Sequence, residues 1–313
     1  MQQRRWIVTC VTAAATLAMV GCDFEMGEWG SSDRFKEDFA STHPLKSGGR
    51  LYLESFNGSV EVLGWEKESV DISGTKYCAS EEQLKQLKIE TTAEPDAVRV
   101  RAIRPLERRG GCGARMVLRV PKRVILERVE SSNGGLRVEG IEGNTRLKTS
   151  NGGVRVWSLK GDLEASTSNA SVEVGQFDGS AVIRTSNGRI RAEGVRGFFE
   201  ATTSNSSIDA TLGDLDPSRP LRLHTSNGSI NLTLENYKNN EIRAETSNGS
   251  INVRFPSALN ARLQASTSHG TVSSDFEVKT TTVSKDRLEG SIGSGGGLIE
   301  LDTSNGNIRI MKR

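Results

Sequence analysis

The sequence predicts an all-β protein: a single-stranded β-solenoid (β-helix) of about 18–22-residue T-S-N-G repeats, with an N-terminal β-rich cap or insertion containing one short helix. Three observations predict it. An Asn recurs at near-constant spacing through the second half of the chain. Apolar residues alternate with polar ones on both sides of that Asn, the period-two pattern of strands with one buried face. Glycine is abundant, at 33 of 313 residues, while aromatics make up 5%, a composition suited to short strands and tight turns rather than a bulky aromatic core.

The chain opens with a segment that reads as a signal peptide, residues 1–21. Arg4 and Arg5 form a positive start, and Ile7 to Val20 is uncharged and largely apolar. That stretch is too short to span a bilayer comfortably. Leu17-Ala18-Met19-Val20-Gly21-Cys22 resembles a bacterial lipobox, which predicts cleavage after Gly21 and lipidation of Cys22. The expected address is the bacterial cell envelope, lipid-anchored on the periplasmic or extracytoplasmic face of a membrane. Removing residues 1–21 takes two arginines from the total, leaving 41 − 2 = 39 basic residues against 39 acidic ones. A formal charge near zero offers no general attraction to nucleic acid.

Residues 22–45 are polar without apolar period and read as a tether. Residues 46–130 read as a first coil followed by a cap or insertion. Leu51, Leu53, Asn57-Gly58, Val60 and Val62 reproduce the repeat's offsets around Asn57. The period then breaks. Ser80–Lys88 has acids early and lysines late, as a short helix does. Val98–Ile103 and Met116–Val120 read as strands, the second ended by Pro121. Cys78 and Cys112 remain as an even pair in an oxidising compartment and are expected to form a disulfide.

Residues 131–313 are the repeat domain. The Asn stands at 133, 151, 169, 187 and 205, a spacing of 18. It continues at Asn227 and Asn248, is replaced by His269, and returns at Asn305, with spacings of 22, 21, 21 and 36 that imply loop insertions. Two residues before it stands Ser131 and then Thr in every copy; three after it stands Leu136, Val154, Val172, Ile190, Ile208, Ile230, Ile251, Val272 and Ile308. Gly143, Gly161, Gly179 and Gly197 mark a second corner ten residues after the Asn, where glycine suits a positive φ. Asn-Gly is also a hairpin signal. A hairpin meander, however, leaves each strand pair needing a cover that the sequence lacks, whereas a solenoid buries both apolar faces inside its own coil. Stacked corners then let Asn57, Asn133, Asn151, Asn169, Asn187, Asn205, Asn227, Asn248, His269 and Asn305 form a ladder along the axis.

Leu51–Val62 followed by Gly64-Trp65, Val120-Pro121 before the repeats, the serial T-S-N-G-x-I units and the end Gly290–Ile310 together resemble the DUF4097 β-strand-repeat family. The resemblance covers roughly residues 33–313. It implies a β-solenoid in the cell envelope, linked in some members to adhesion or envelope-stress sensing, and it carries no catalytic residues.

The outward column four after the Asn reads Arg137, Arg155, Glu173, Arg191, Asp209, Asn231 and Asn252; the column three before it reads Glu130, Lys148, Ser166, Arg184, Thr202, His224 and Glu245. Neither sets two carboxylates on consecutive coils, as a polysaccharide-cleaving solenoid requires. His43, His224 and His269 are scattered, with no metal-ligand spacing. Serines sit at the repeating corner, where local backbone bonding explains them. The sequence therefore predicts no catalytic residue, cofactor or metal. It predicts a non-catalytic binding or scaffold protein, an adhesin or an envelope-stress lipoprotein. The expected partners are the membrane, through the lipid, and a polysaccharide or envelope protein. The alternative is a carbohydrate-active β-helix enzyme. Oligomeric state is left open.

Overall fold

The computed structural model describes residues 34–106 and 111–313. The expected signal peptide and Cys22 lie outside the described residues. Within the described residues the chain is an all-β solenoid with one short helix.

Its middle is the simplest part. The strands β11 (Val154–Ser166), β12 (Val172–Arg184) and β13 (Ile190–Thr202) each run through a whole coil, bent at Gly161, Gly179 and Gly197. These glycines hold φ of 127°, 143° and 92°, values that a side chain would strain. The coils pair in parallel with an offset of one repeat, so Val154 lies beside Val172 and Val172 beside Ile190. The half of each coil after the bend lies in a first sheet, and the half before it lies in a facing second sheet. The aliphatic columns from both halves meet between the sheets, where Val172, Ile183, Ile190 and Ala201 are fully buried. Burying them removes apolar area worth roughly 25 cal/mol per Å².

Toward the N-terminus the first sheet continues through β10 (Thr145–Lys148), β8 (Ile125–Glu130), β2 (Arg50–Glu54), β6 (Ala97–Ile103) and β5 (Lys88–Glu94). The second continues through β9 (Leu136–Glu142), β3 (Val60–Trp65), β7 (Cys112–Pro121), β4 (Ser69–Cys78) and β1 (Phe35–Pro44). The coil around Asn57 is therefore not outermost. Residues 97–121 form a further coil outside it, and the antiparallel strands β5, β4 and β1 cover that coil's edges. The helix α1 (Glu81–Gln86) starts at Ser80, whose hydroxyl accepts from the Gln83 amide at 3.3 Å. It packs Leu84 with Leu87, Phe56 and the two half-cystines in a small separate core.

Toward the C-terminus the first sheet runs through β15 (Leu221–Thr225), β17 (Ile242–Asn248), β23 (Leu298–Asn305), β19 (Ala261–His269), β22 (Arg287–Ile292) and β21 (Val278–Val283). The second runs through β14 (Ile208–Leu215), β16 (Ile230–Leu234), β18 (Ile251–Phe255), β24 (Ile308–Lys312) and β20 (Val272–Ser274). The last coil in sequence is thus not the last in space. Asn305 and its strands slot between the coils of Asn248 and His269, and the residues between the last two repeats form an antiparallel hairpin on the outer edge of β19.

Two readings of the sequence are corrected. The tether expected over 22–45 gives way, within its described part, to the ten-residue strand β1 paired along its length with β4. Its inward face is only half-buried, with Phe35 and Phe39 packed against the cores and Ser41 and His43 polar, so no apolar period betrayed it. The insertion expected over the stretch before 131 is partly a coil in its own right, with Val98, Val100, Met116 and Leu118 buried in the common core.

Candidate binding surface

The first corner is built by the T-S-N-G unit. Each Thr is buried, and its hydroxyl donates to a carbonyl of the preceding coil: Thr149 to Gly134 at 3.1 Å, Thr167 to Gly152 at 2.9 Å, Thr203 to Gly188 at 3.0 Å. The same oxygen closes its own turn, as where Thr149 accepts from the Gly152 amide at 3.2 Å. A side chain at Gly152 would collide with the Gly134 carbonyl oxygen, so glycine here permits the close stacking of coils.

The Asn side chains form one polarised ladder. Nδ2 of each donates to Oδ1 of the neighbour on its N-terminal side, from Asn305 to Asn248, Asn227, Asn205, Asn187, Asn169, Asn151, Asn133 and Asn57, at 2.6–3.0 Å. Asn57 closes it by donating to the Cys112 carbonyl at 2.7 Å. His269 lies in register with Asn305 on the outermost coil. Cys78 and Cys112, directly opposite each other on β4 and β7, form a disulfide.

A second, shorter ladder occupies the outward column four after the Asn. Asn252 donates to Asn231 at 2.9 Å and Asn231 to Asp209 at 2.8 Å. Burial by itself would raise the Asp209 carboxyl, but donations from Arg189 at 2.6 Å, Asn231 and Ser207 outweigh it and hold the group below the usual carboxylate range. The sequence displayed these residues in one column without revealing that they bond to one another.

The second corner carries the most distinctive arrangement. Nine residues after each Asn, Glu142, Lys160, Asp178 and Arg196 lie side by side on successive coils. Lys122 adds a positive charge at one end; its ammonium is stabilised by a hydrogen bond to Glu66 and by the charges of Glu66 and Glu142. At the other end Asp214 is held low by Lys238, 2.9 Å away, and by Arg196. The sign alternates from Lys122 to Lys238 without interruption. The signal was legible in the sequence at that offset, which the columns beside the Asn do not sample.

Two elongated grooves flank this corner. One, of about 570 Å³, is lined by the charge row together with Gly140, Ser158, Gln176 and Gly194. Those four residues stack with positive φ of 71°, 53°, 50° and 62°. The other, of about 780 Å³, lies on the first sheet and is lined by Arg50, Tyr52, Glu127, Arg146, Asp162, Glu164, Ser180 and Arg184 among others. Arg219, from the loop that lengthens the repeat after Asn205, reaches back to donate to Ser180 Oγ at 2.8 Å, with its guanidinium 3.4 Å from the Phe198 ring centroid. Arg146 engages Glu164 at 3.1 Å and Glu127 at 4.0 Å. Asp162 stands two residues from Glu164 on the same strand face, about 7 Å along the chain.

The intercalated last coil changes one conclusion drawn from the sequence. Glu245 sits directly beside Asp302, two carboxylates on adjacent coils that the linear order keeps apart. Arg243 pairs with both Glu245 and Glu300, His224 Nδ1 lies 3.6 Å from Glu245, and Ser266 donates to Asp302 at 2.8 Å. Among the described residues no group of three or more His, Cys, Asp or Glu side chains is placed to hold a metal.

A family model described as Toastrack DUF4097 matches residues 54–311. No curated protein matches. Among solved structures, the chain is similar to a candidate cell adhesion protein from Clostridium sporogenes ATCC 15579, at 9% identity and TM-score 0.27 over 88% of this chain and 100% of that one. It is also similar to a candidate adhesin from Bacteroides fragilis NCTC 9343, at 11% identity and TM-score 0.34 over 88% of this chain and 97% of that one.

Proposed function

The chain belongs to the Toastrack DUF4097 family, and from that premise we propose that it is a non-catalytic binding or scaffold module of the bacterial cell envelope, held to a membrane by a lipid on Cys22. The observation that carries the binding role is the second corner. Its two grooves run along the solenoid axis on either side of a glycine row, and their walls present fixed, alternating charge. Such a surface suits an extended polar polymer, an envelope polysaccharide above all, that meets both signs of charge as it passes from coil to coil. No helix among the described residues is long and apolar enough to cross a membrane.

The test uses the charge row. Full-length protein carrying Asp178→Lys, which breaks the alternation by setting three successive positive charges from Lys160 to Arg196, is compared with the wild type for retention on purified cell-wall polysaccharide. Loss of retention at unchanged melting temperature supports the reading; equal retention rejects the second corner as the binding surface. Cys22→Ser is expected to release the protein from the membrane fraction, and continued fractionation with membranes rejects the anchor.

A second reading has one observation behind it. Glu127, Asp162 and Glu164 share the larger groove, and paired carboxylates are what glycoside cleavage uses. The ion pairs of Arg146 with two of the three favour structure over chemistry. Release of reducing ends from a polysaccharide by the wild type, abolished by Asp162→Asn, would favour the enzyme.

A further inference from the structure

Among the described residues the two sheets end in four edge strands, and three of them are blunted. The edge β20 is three residues long. The edge β1 carries Lys36, Glu37 and Asp38 and ends at Pro44; β5 carries Lys88, Glu90 and Glu94. Short length, charge and proline are the devices that stop a sheet edge from recruiting another strand. The fourth edge is different. β21 has the sequence VKTTTV, with five β-branched residues of six and a single charge. Among the described residues it pairs only with β22, and residues 279–283 are exposed on both strand faces. Val283 is 68% exposed, one of two large apolar side chains so exposed among the described residues.

We infer that β21 is an interaction edge and that its partner is β21 of a second copy of this chain, added antiparallel about a two-fold axis. The sequence of the strand is close to its own reverse. Pairing about the point between Thr280 and Thr281 sets Val278 opposite the second copy's Val283, Lys279 opposite Thr282, and Thr280 opposite Thr281. No like charges meet, and the apolar and hydroxyl side chains meet their own kind, the cross-strand pairs that stabilise a sheet. The interface is isologous and closes after two copies. Register against β22 slips between Thr280 and Thr282, which splits the free edge into two short ladders. One interrupted strand edge buries less than a standard stable interface, so the association is weak and grows with local concentration, as anchoring to a membrane provides.

The register gives a specific test. Full-length protein in detergent micelles is studied by sedimentation equilibrium over a range of concentrations. The wild type is expected to rise from monomer toward twice the monomer mass and no further. Thr282→Lys sets a lysine opposite the second copy's Lys279, twice by symmetry, and should weaken the dimer by about tenfold or more, since facing like charges are strongly unfavourable. Adding Lys279→Glu to Thr282→Lys turns both clashes into ion pairs and should restore it. A wild type that stays monomeric at every concentration overturns the proposal. A dimer indifferent to Thr282→Lys, or one that Lys279→Glu fails to rescue, rejects the register. Mass that keeps growing past the dimer points to head-to-tail pairing with another edge and overturns it as well.

Discussion

The middle coils and the two ends of the solenoid are built by different rules. In the middle, a side chain's neighbours are the residues one repeat before and after it, so Ile190 touches the columns of Val172 and Ile208. At the ends, neighbours are distant in sequence. The coil of residues 97–121 is laid outside the coil that precedes it, and the last coil is inserted inside the one that precedes it. Both ends use the same device: the chain steps outward, lays down antiparallel strands on an exposed edge, then returns. An array of identical coils would end in unpaired edges and an open core. Crossing over lets the chain cover its end coils and move the remaining edges onto added strands, at the cost of contacts that form only after long loops have closed.

The strongest way to break the comparison is to place a charge in the middle. Ile190 is fully buried between two aliphatic neighbours of its column, and among the described residues no Lys or Arg is buried in the interior to pair with a carboxylate. Ile190→Asp is expected to cost about 4 kcal/mol or more, as an unpaired buried charge does. Because each coil is the template for the next, the loss should spread through the array. Thermal unfolding followed by circular dichroism checks it; an unchanged melting temperature would show that this column does not form the core.

The N-terminal end should respond differently. Cys78 and Cys112 close a loop of sequence separation 34 and pin β4 to β7, beside the helix. Replacing both with Ser removes a constraint on the unfolded chain of about 3–4 kcal/mol. Little of the repeat core touches that cluster, so hydrogen exchange should rise in residues 35–121 and stay slow around Ile190. Uniform acceleration along the whole chain would mean that the ends and the middle unfold as one unit.

The sequence disclosed the middle well and the ends poorly, for physical reasons. Columns such as Val172–Ile190–Ile208 are legible because a solenoid repeats its burial pattern at the spacing of its sequence repeat. The spacing of 36 before Asn305 is the same whether the extra residues form a loop or a crossing, so the intercalated coil and the Glu245–Asp302 contact were invisible. β1 was missed because its inward face is only half-buried and mixes Phe35 and Phe39 with the polar Ser41 and His43, which leaves no apolar period to read. The charge row at the second corner is a third case: Glu142, Lys160, Asp178 and Arg196 are spaced as regularly as the Asn residues, but they carry an alternation rather than an identity, and only the stacking of coils gives alternation a meaning. The corner Thr residues were explicable as turn formers, yet their hydroxyls also tie each coil to the one before it.

The smallest expected effect bears on whether the Asn ladder is one unit or a set of separate bonds. Asn169 donates to Asn151 and accepts from Asn187, at 2.6 and 2.7 Å. Asn305 donates to Asn248 at 2.9 Å and has His269 on its other side. Both side chains are exposed at the corner, so each bond is worth about 1 kcal/mol. If the bonds are independent, Asn169→Ala costs roughly two of them, about 2 kcal/mol, and Asn305→Ala roughly one. If the aligned amides polarise one another, cutting the ladder in its middle costs more than the sum of its parts, while removing its last member does not. The double variant Asn169→Ala/Asn205→Ala, measured by urea unfolding, separates the two. Costs that add mean independent rungs, and a second substitution that costs clearly less than the first means that the row acts as a chain whose strength comes from its length.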